Sequence, residues 1–236
     1  MWLFQPLMDT IKNNPIILFV HGGPASPMSP VMWMFQRPFE EYFTVINYDQ
    51  RASGKTYVSN DTAGLASTIH INQYVGDAIE LTTFIEKKYQ KRKVILIGHI
   101  WVTIVAMKAA LERPDLFYTY IGIGQVINTK DNERISFEYA VNTATQRHND
   151  AAVKELNSIA PYPGNKPITR ERILIARKWA QYYGGLSAYR RSSGYYFRAP
   201  LLSPVYTKDN ITGIDDANVF TLGKVLDEFL NVDLKM

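Results

Sequence analysis

Residues 93–110 read KVILIGHIWVTIVAMKAA, and this stretch decides the fold of the chain. Its first part, residues 93–98, is an apolar run rich in β-branched side chains, a composition typical of a strand buried on both faces of a parallel sheet. The run breaks at Gly98, and an apolar helix is predicted to start at about Trp101. The stretch therefore predicts a buried strand that turns sharply into a buried helix.

The corner of this turn has the frame of a nucleophile elbow, a strand-to-helix turn of pattern G-x-S-x-G that presents a reactive serine. Here the corner reads Gly98-His99-Ile100-Trp101-Val102. The central residue, Ile100, has no proton to release and no lone pair with which to attack a carbonyl. Val102 holds a position that in this motif is small. The sequence thus predicts the backbone of a serine hydrolase with a vacant nucleophile position at Ile100.

Three further apolar runs predict buried strands on either side of this turn. They are residues 15–20 (PIILFV), 43–48 (FTVINY) and 118–123 (YTYIGI). Apolar residues at helical spacing predict a helix over Ile71–Tyr89, just before the central strand. Strands that alternate with helices indicate an α/β fold, here a mostly parallel sheet flanked by helices.

The character of the chain changes at about Asn128, after which it is polar, aromatic and helical. Helices are predicted near residues 133–146, 150–159, 169–183 and 222–232, with no further buried-strand run among them. We therefore predict two domains, a partial sheet core over residues 1–128 and a helical cap over residues 129–236.

The composition of the chain limits the cellular compartment and the classes of partner that we expect. The 236 residues are 46% hydrophobic, which suits one large core or a core with a cap, and no run approaches a membrane span. The chain has no cysteine and no signal-peptide pattern, so we expect a cytoplasmic protein. The formal charge of +4 comes from scattered basic residues without a recognition motif, so we expect no nucleic-acid partner. No ligand-like spacing of His and carboxylates predicts a metal or other cofactor.

Two more motifs stand directly after predicted strands. HGGP at residues 21–24 follows the first run, and DQRASGK at residues 49–55 follows the second. Together with GHIW at residues 98–101, they resemble the proline iminopeptidase-like α/β-hydrolases, a family of serine aminopeptidases, amidases and esterases that carry a helical cap. The resemblance implies release of N-terminal residues from peptides, or hydrolysis of small amides and esters.

The resemblance also implies roles for individual residues. The backbone N–H groups of Gly23 and Trp101 would form the oxyanion hole, which stabilises negative charge on a substrate oxygen. The loops around the substrate would contain His21, Gly22, Pro24, Asp49 and Arg51. Acidic cap residues receive the free amino group of the substrate in the aminopeptidases, and Glu133 and Glu138 are the candidates here. The simpler interpretation of both glutamates is the solvated face of a cap helix.

The chain also departs from the family in ways that bear on catalysis. The nucleophile is replaced by Ile100, and the family's acid and histidine belong to loops after later strands. The chain has four histidines, His21, His70, His99 and His148, none of which follows the cap. Because the sequence stops where the last strands of the family begin, we expect the C-terminal strands of the fold to be missing.

Two functions remain open on this evidence. The first is a catalytically inactive, truncated family member that takes at most a small peptide, amide or ester as ligand. The alternative is an active serine hydrolase or aminopeptidase that uses other residues or residues supplied by a partner. The chemistry of Ile100 favours the first.

Two structural expectations follow. The strand over residues 118–123 would form an uncovered apolar sheet edge, which favours self-association. The central residue of an elbow has positive φ, a conformation that strains a β-branched side chain. We therefore expect Ile100 to relax to negative φ and turn toward apolar neighbours, with the helix start shifted by about one residue.

Overall fold

The computed structural model describes residues 2–4, 13–164, 168–186 and 194–234. By their internal contacts the residues fall into two compact units. The first, called the sheet unit below, comprises Met1–Val126 and Ala199–Phe229. The second, called the helical unit, comprises Ile127–Arg198 and Leu230–Met236.

The described residues of the sheet unit form five strands. They are β1 (Trp2–Phe4), β2 (Ile16–Val20), β3 (Thr44–Asp49), β4 (Val94–His99) and β5 (Phe117–Ile123). Their order across the sheet is β1-β3-β2-β4-β5, and β1 runs antiparallel to β3 while the other neighbours are parallel. The four apolar runs of the sequence form the four parallel strands, which confirms the predicted mostly parallel sheet.

Helices flank this sheet and connect its strands. Those of the sheet unit are α1 (Arg37–Glu40), α2 (Gly54–Val58), α3 (Thr62–Leu65), α4 (Ile71–Tyr89), α5 (Thr103–Glu112) and α10 (Lys208–Leu230, whose last residue belongs to the helical unit). The predicted bounds of α4 are confirmed. The His70 side chain accepts a hydrogen bond from the Gln73 N–H at its start, and Gln90 ends it in a left-handed conformation.

The turn from β4 into α5 brings a strand and a helix into close contact at Gly98. A Cβ atom added to Gly98 would lie 2.9 Å from Ala106 Cβ and 3.1 Å from Thr103 Cα. Side-chain Cβ atoms do not approach one another so closely, so the strand and the helix can meet here only at a glycine. Around this contact the side chains of Val102, Ile104 and Val105 are completely buried.

Helix α10 differs from the predicted domain division. The division placed the whole of residues 129–236 in the cap, whereas Ala199–Phe229 packs within the sheet unit. The reason is a buried stripe that repeats every four residues along α10, formed by Ala217, Thr221, Val225 and Phe229. A stripe of this kind shows that one face of a helix packs against another element, but it does not identify that element.

The helical unit contains the remaining helices, α6 (Thr129–Gln146), α7 (Asp150–Ser158), α8 (Arg170–Tyr182) and α9 (Gly194–Arg198). Side-chain oxygens of Asn128, Asn149 and Thr169 each accept from a backbone N–H three residues on and so begin the first three of these helices. Phe137, Ala140, Leu156 and Ala176 belong to its own apolar core.

None of the helices in the described part of the chain is both long enough and apolar enough to cross a membrane.

The contrast between two glycines tests the packing at the turn. We expect Gly98→Ala to lower the free energy of unfolding by about 1–3 kcal/mol, because the added methyl group must displace Ala106 or the α5 backbone. Gly76 lies on the exposed side of α4, and an added Cβ there would meet nothing within 4 Å. Gly76→Ala is therefore expected to raise the free energy of unfolding by about 0.5–1 kcal/mol. Urea unfolding followed by circular dichroism measures both, and equal effects of the two substitutions would contradict the packing argument.

Candidate functional site

Three sequence motifs meet at one edge of the sheet. HGGP follows β2, DQRASGK begins at the end of β3, and the elbow follows β4. Because β2 lies between β3 and β4 and all three are parallel, their following loops emerge side by side. This is the edge of an open α/β sheet at which ligands bind.

At the elbow, Ile100 has φ of +57°, so the prediction that it would relax to negative φ was wrong. Its side chain is 42% exposed and does not turn into the core. A single 3-10 turn over Ile100–Val102 begins the helical segment, and α5 follows from Thr103, two residues after the predicted start at about Trp101. The elbow backbone is retained although its central residue is β-branched.

The neighbours of Ile100 explain why this conformation persists. Trp101 and Val102 are buried immediately after it, and Gly98 is fixed against α5 immediately before it. Two positions close to Ile100 are glycines: a Cβ on Gly22 would lie 3.6 Å from Ile100 Cβ, and one on Gly124 would lie 3.7 Å from Ile100 Cγ1. Packing on both sides therefore fixes the turn, and these two glycines leave room for the isoleucine.

Thr103 is the first hydroxyl residue after Ile100, and its role is to hold the corner. Its side chain is buried, donates to the Ile100 carbonyl at 2.6 Å and accepts from the Val126 N–H at 3.0 Å. A hydroxyl in this position cannot reach a substrate.

Trp101 anchors the start of the helix. It is 1% exposed, and the rings of Tyr74 and Phe229 pack edge-on against it at centroid distances of 5.5 and 6.1 Å. Its backbone N–H belongs to the first turn of the helical segment, where N–H groups have no partner within the helix. The Trp101 N–H stays the candidate oxyanion donor that the resemblance implies.

His21 links the first two motifs. Its Nε2 accepts from the Gln50 N–H at 3.1 Å, its Nδ1 lies 2.9 Å from the Gly22 carbonyl, and the Gln50 side chain donates to the His21 carbonyl at 2.9 Å. An acceptor Nε2 requires the proton to be on Nδ1, so the ring is neutral and donates to Gly22. Burial lowers the pKa of His21. The ring is a structural link and is not available as a general base.

Gly22 and Gly23 bring the HGGP backbone close to the elbow. A Cβ on Gly22 would lie 3.0 Å from the His99 carbonyl oxygen, and Gly23 has φ of +134°, which a side chain would disfavour. The next residue, Pro24, accepts a hydrogen bond at its carbonyl from the Asn218 side chain of α10 at 2.7 Å. The loop is therefore held from both ends.

Asp49 and Arg51 hold the second loop in place. The carboxylate of Asp49 is 1% exposed and accepts from the Ser29 hydroxyl at 3.0 Å, the Lys55 N–H at 2.9 Å and the Tyr206 hydroxyl. Arg51 forms two hydrogen bonds to Asp77 of α4, at 2.9 and 2.7 Å. Both side chains are occupied by protein partners.

Sequence reasoning missed the contribution of residues 206–229. Besides Tyr206 and Asn218, the Thr221 hydroxyl of α10 donates to the Ala52 carbonyl at 3.1 Å, and Phe229 packs on Trp101. All three motif loops are thus bound by one segment. The sequence indicated this contribution only through the four-residue repeat of the positions that are buried along α10. Polar Thr221 occupies one of these core positions.

The two cap glutamates have different surroundings within the helical unit. Glu133 is buried, accepts from the Tyr162 hydroxyl and pairs with Arg177 at 2.9 Å, so it does not lie on a solvated face as the simpler interpretation held. Glu138 is exposed and pairs with Arg134 at 3.0 Å, as that interpretation expected.

The remaining histidines are far from a catalytic arrangement. His70 caps α4, His148 is exposed after α6, and His99 lies partly buried beside Gly22, where burial lowers its pKa. Across the residues that the structure describes, no group of three or more His, Cys, Asp or Glu side chains could hold a metal ion.

The link made by His21 predicts a pH dependence of stability. Because the folded-state pKa is below the unfolded value of about 6.5, the unfolded chain binds more protons in this range, and stability therefore decreases as the pH is lowered. The contribution is fully present above about pH 6.5 and is lost as the pH falls toward the folded-state pKa. We expect His21→Gln to flatten the plot of unfolding free energy against pH below 6.5, by at most about 1.4 kcal/mol per pH unit.

Urea unfolding between pH 7 and pH 5 measures this slope. His148→Gln, at an exposed position, is the control and should keep the pH dependence of the unchanged chain. A His21→Gln slope equal to that of the control would show that His21 does not stay neutral in the folded state.

The chain is similar to known proteins in sequence and in fold. A 127-residue segment is 39% identical to a Bacillus subtilis (strain 168) protein named Probable aminopeptidase YbaC. The match covers 54% of this chain and 39% of that protein, which is about two fifths of the relative's length. Among solved structures, MGS-M2, an alpha/beta hydrolase enzyme from a Medee basin deep-sea metagenome library, is 13% identical with a TM-score of 0.48, covering 99% of this chain and 70% of that one. A 2-hydroxy-6-oxo-6-phenylhexa-2,4-dienoate hydrolase from Rhodococcus sp. strain RHA1 is 15% identical with a TM-score of 0.46, covering 93% and 67% of the two chains. The model of the family described as the alpha/beta hydrolase fold matches residues 15–222, and the chain therefore belongs to that family.

Proposed function

We propose that this polypeptide is a non-catalytic member of the α/β-hydrolase family, related to its aminopeptidases, that binds a small peptide, amide or ester without hydrolysing it. The observation that carries the proposal is the placement of Ile100. It occupies the central position of a retained elbow with positive φ and an exposed side chain, where a serine would present its hydroxyl. A hydrocarbon there cannot form an acyl-enzyme.

The magnitude of the loss supports inactivity. Removal of the nucleophile from a serine hydrolase costs several orders of magnitude in rate, because nucleophile, base and acid act as one unit. The next hydroxyl along the chain, on Thr103, is buried and bonded to backbone groups. His21 uses both ring nitrogens in contacts with Gly22 and Gln50.

Binding can outlast catalysis because the proposed donors are backbone groups. A change of side chain at position 100 does not remove the N–H groups of Gly23 and Trp101. The hydrogen bonds from Asn218 to Pro24 and from Gln50 to His21 support the loop that carries Gly23. We assign to this pair the binding of a carbonyl or carboxylate oxygen, weakened by the bulk of Ile100.

The aminopeptidase relationship rests on the HGGP, DQR and GHxW motifs and on the 39% identity to a protein named as a probable aminopeptidase. The same motifs are the basis on which we include proline iminopeptidase-like specificity in the proposal. We assign recognition of a substrate amino group to neither cap glutamate, because Glu133 is paired with Arg177 and Glu138 with Arg134.

Two reagents test the absence of catalysis. The chain is incubated with a fluorophosphonate probe and, separately, with a chromogenic prolyl-anilide substrate, beside an Ile100→Ser, Val102→Gly variant that restores the elbow pattern. We expect no labelling and no turnover by the unchanged chain. Labelling of the unchanged chain would favour the alternative, an active hydrolase with a different nucleophile.

The binding part is tested separately with a peptidyl boronate and a peptide carboxylate, followed by NMR. We expect weak, reversible shifts of the Gly23 and Trp101 amides, with no covalent adduct. Ile100→Ala removes the obstructing bulk without adding a hydroxyl, and should bind more tightly than the unchanged chain. A lower affinity of Ile100→Ala would mean that the ligand does not occupy this position.

A further inference from the structure

The peptide unit between Gly22 and Gly23 presents two polar groups in opposite directions. Its N–H belongs to Gly23 and is a candidate oxyanion donor, and its carbonyl oxygen belongs to Gly22. A peptide unit is planar, so a contact that fixes the direction of the carbonyl also fixes the direction of the N–H. The Gly23 N–H donates to no backbone carbonyl of the described residues, which leaves it available to a ligand.

The backbone on both sides of this peptide unit is glycine, so its orientation depends on contacts from other residues. Glycine occupies many more backbone conformations than other residues do, and Gly23 has φ of +134°. The carbonyls on either side are fixed by side chains from other elements. The Gln50 side chain donates to the His21 carbonyl at 2.9 Å. The Asn218 side chain donates to the Pro24 carbonyl at 2.7 Å.

The carbonyl of Gly22 itself is fixed by the His21 ring, whose Nδ1 lies 2.9 Å away. A carbonyl oxygen can only accept, so the ring carries its proton on Nδ1. On the other side of the ring, the Gln50 N–H can only donate, so Nε2 is the acceptor there. The Ser53 hydroxyl lies 3.3 Å from Nε2 and is able to donate to it as well. Groups with fixed hydrogen-bonding roles therefore hold the ring in one tautomer.

We propose that His21 is a positioning residue of the candidate site, whose Nδ1–H orients the Gly22–Gly23 peptide unit and strengthens the Gly23 N–H as a donor to a bound oxygen. This inference rests on the proposed function, because the oxygen is that of the ligand assigned there. Hydrogen bonds in a chain polarise one another, so a carbonyl that accepts makes the N–H of its own peptide unit a better donor. The chain runs from the Gln50 N–H through the imidazole and the peptide unit to the ligand.

The surroundings of His21 suit this role. Its side chain is 1% exposed, and the Tyr48 ring packs near it at a centroid distance of 6.3 Å. Burial lowers the pKa of His21, which favours the neutral ring with one donor and one acceptor nitrogen. A hydrogen bond in such a low-dielectric interior is also stronger than one in water. The ring therefore has a fixed position from which it holds the peptide unit.

Two substitutions separate the two sides of the ring. In asparagine the amide nitrogen is bonded to Cγ, as Nδ1 is in histidine, so His21→Asn can still donate to the Gly22 carbonyl but does not reach Gln50. In glutamine the amide lies one atom further from the backbone, as Nε2 does, so His21→Gln can accept from the Gln50 N–H but does not donate to Gly22. Each variant keeps one link and loses the other, so we expect comparable losses of stability in urea.

Nuclear magnetic resonance of the full chain without ligand measures the polarisation of the peptide unit. Loss of the hydrogen bond to Gly22 should move the Gly22 carbonyl carbon and the Gly23 amide proton upfield. We expect this in His21→Gln relative to His21→Asn; both variants lack the ring, so ring-current effects are common to them. His148→Gln makes the same change at an exposed position and should leave both resonances in place.

Titration with N-acetylproline, a small amide that ends in a carboxylate, measures the consequence for binding. We expect His21→Gln to raise the dissociation constant about fivefold, which corresponds to the loss of one hydrogen bond. His21→Asn should bind like the unchanged chain. Equal loss of affinity in the two variants would show that His21 only braces the loop and would overturn the inference, as would unchanged affinity in His21→Gln.

The tautomer is measured in the unchanged chain and so does not depend on the folding of any variant. The ring nitrogen resonances should show a protonated Nδ1 and an unprotonated Nε2, and the opposite tautomer would overturn the inference. Failure of N-acetylproline to bind the unchanged chain would refute the proposed function. The ligand-free resonances of Gly22 and Gly23 would then still decide whether His21 polarises their peptide unit.

Discussion

The contact between β4 and α5 at Gly98 is the constraint on which the candidate site depends. It brings the strand and the helix so close that the chain must reverse direction within residues 98–103, and this reversal holds Ile100 at φ of +57°. Strain of this kind costs about 1–3 kcal/mol. Complete burial of one large apolar side chain contributes about as much, and Trp101, Val102, Ile104 and Val105 are all buried beside the turn. The elbow is therefore maintained by packing and does not require a serine.

A second layer of support comes from residues 206–229. One segment bonds to Asp49 through Tyr206, to Pro24 through Asn218 and to Ala52 through Thr221, and its Phe229 packs on Trp101. Loops that are fixed at several points change little when one side chain between them changes. These contacts fix the loops independently of the side chain at position 100.

The features that the sequence predicted well are those that a local pattern determines. The four apolar runs became the parallel strands, and the stripe from Ile71 to Tyr89 became α4, because a continuous apolar run and an apolar stripe at helical spacing are both local patterns. The conformation of Ile100 was predicted wrongly because local sterics were weighed without the contact of Gly98 with Ala106, which joins residues on two different elements. The position of α10 and the pairing of buried Glu133 with Arg177 likewise depend on partners distant in the sequence. No periodicity identifies such partners.

The central claim, that packing imposes the left-handed turn on residue 100, is tested most directly by comparing the unfolding free energies of Ile100→Gly and Ile100→Ala. At ordinary negative φ, glycine is less stabilising than alanine by roughly 0.5–1 kcal/mol. At positive φ the order reverses, because alanine pays a cost of about 1–2 kcal/mol that glycine avoids. The account predicts that Ile100→Gly is the more stable of the two by about 1 kcal/mol. If Ile100→Ala is the more stable, the turn relaxes with the residue that occupies it, and the account is contradicted.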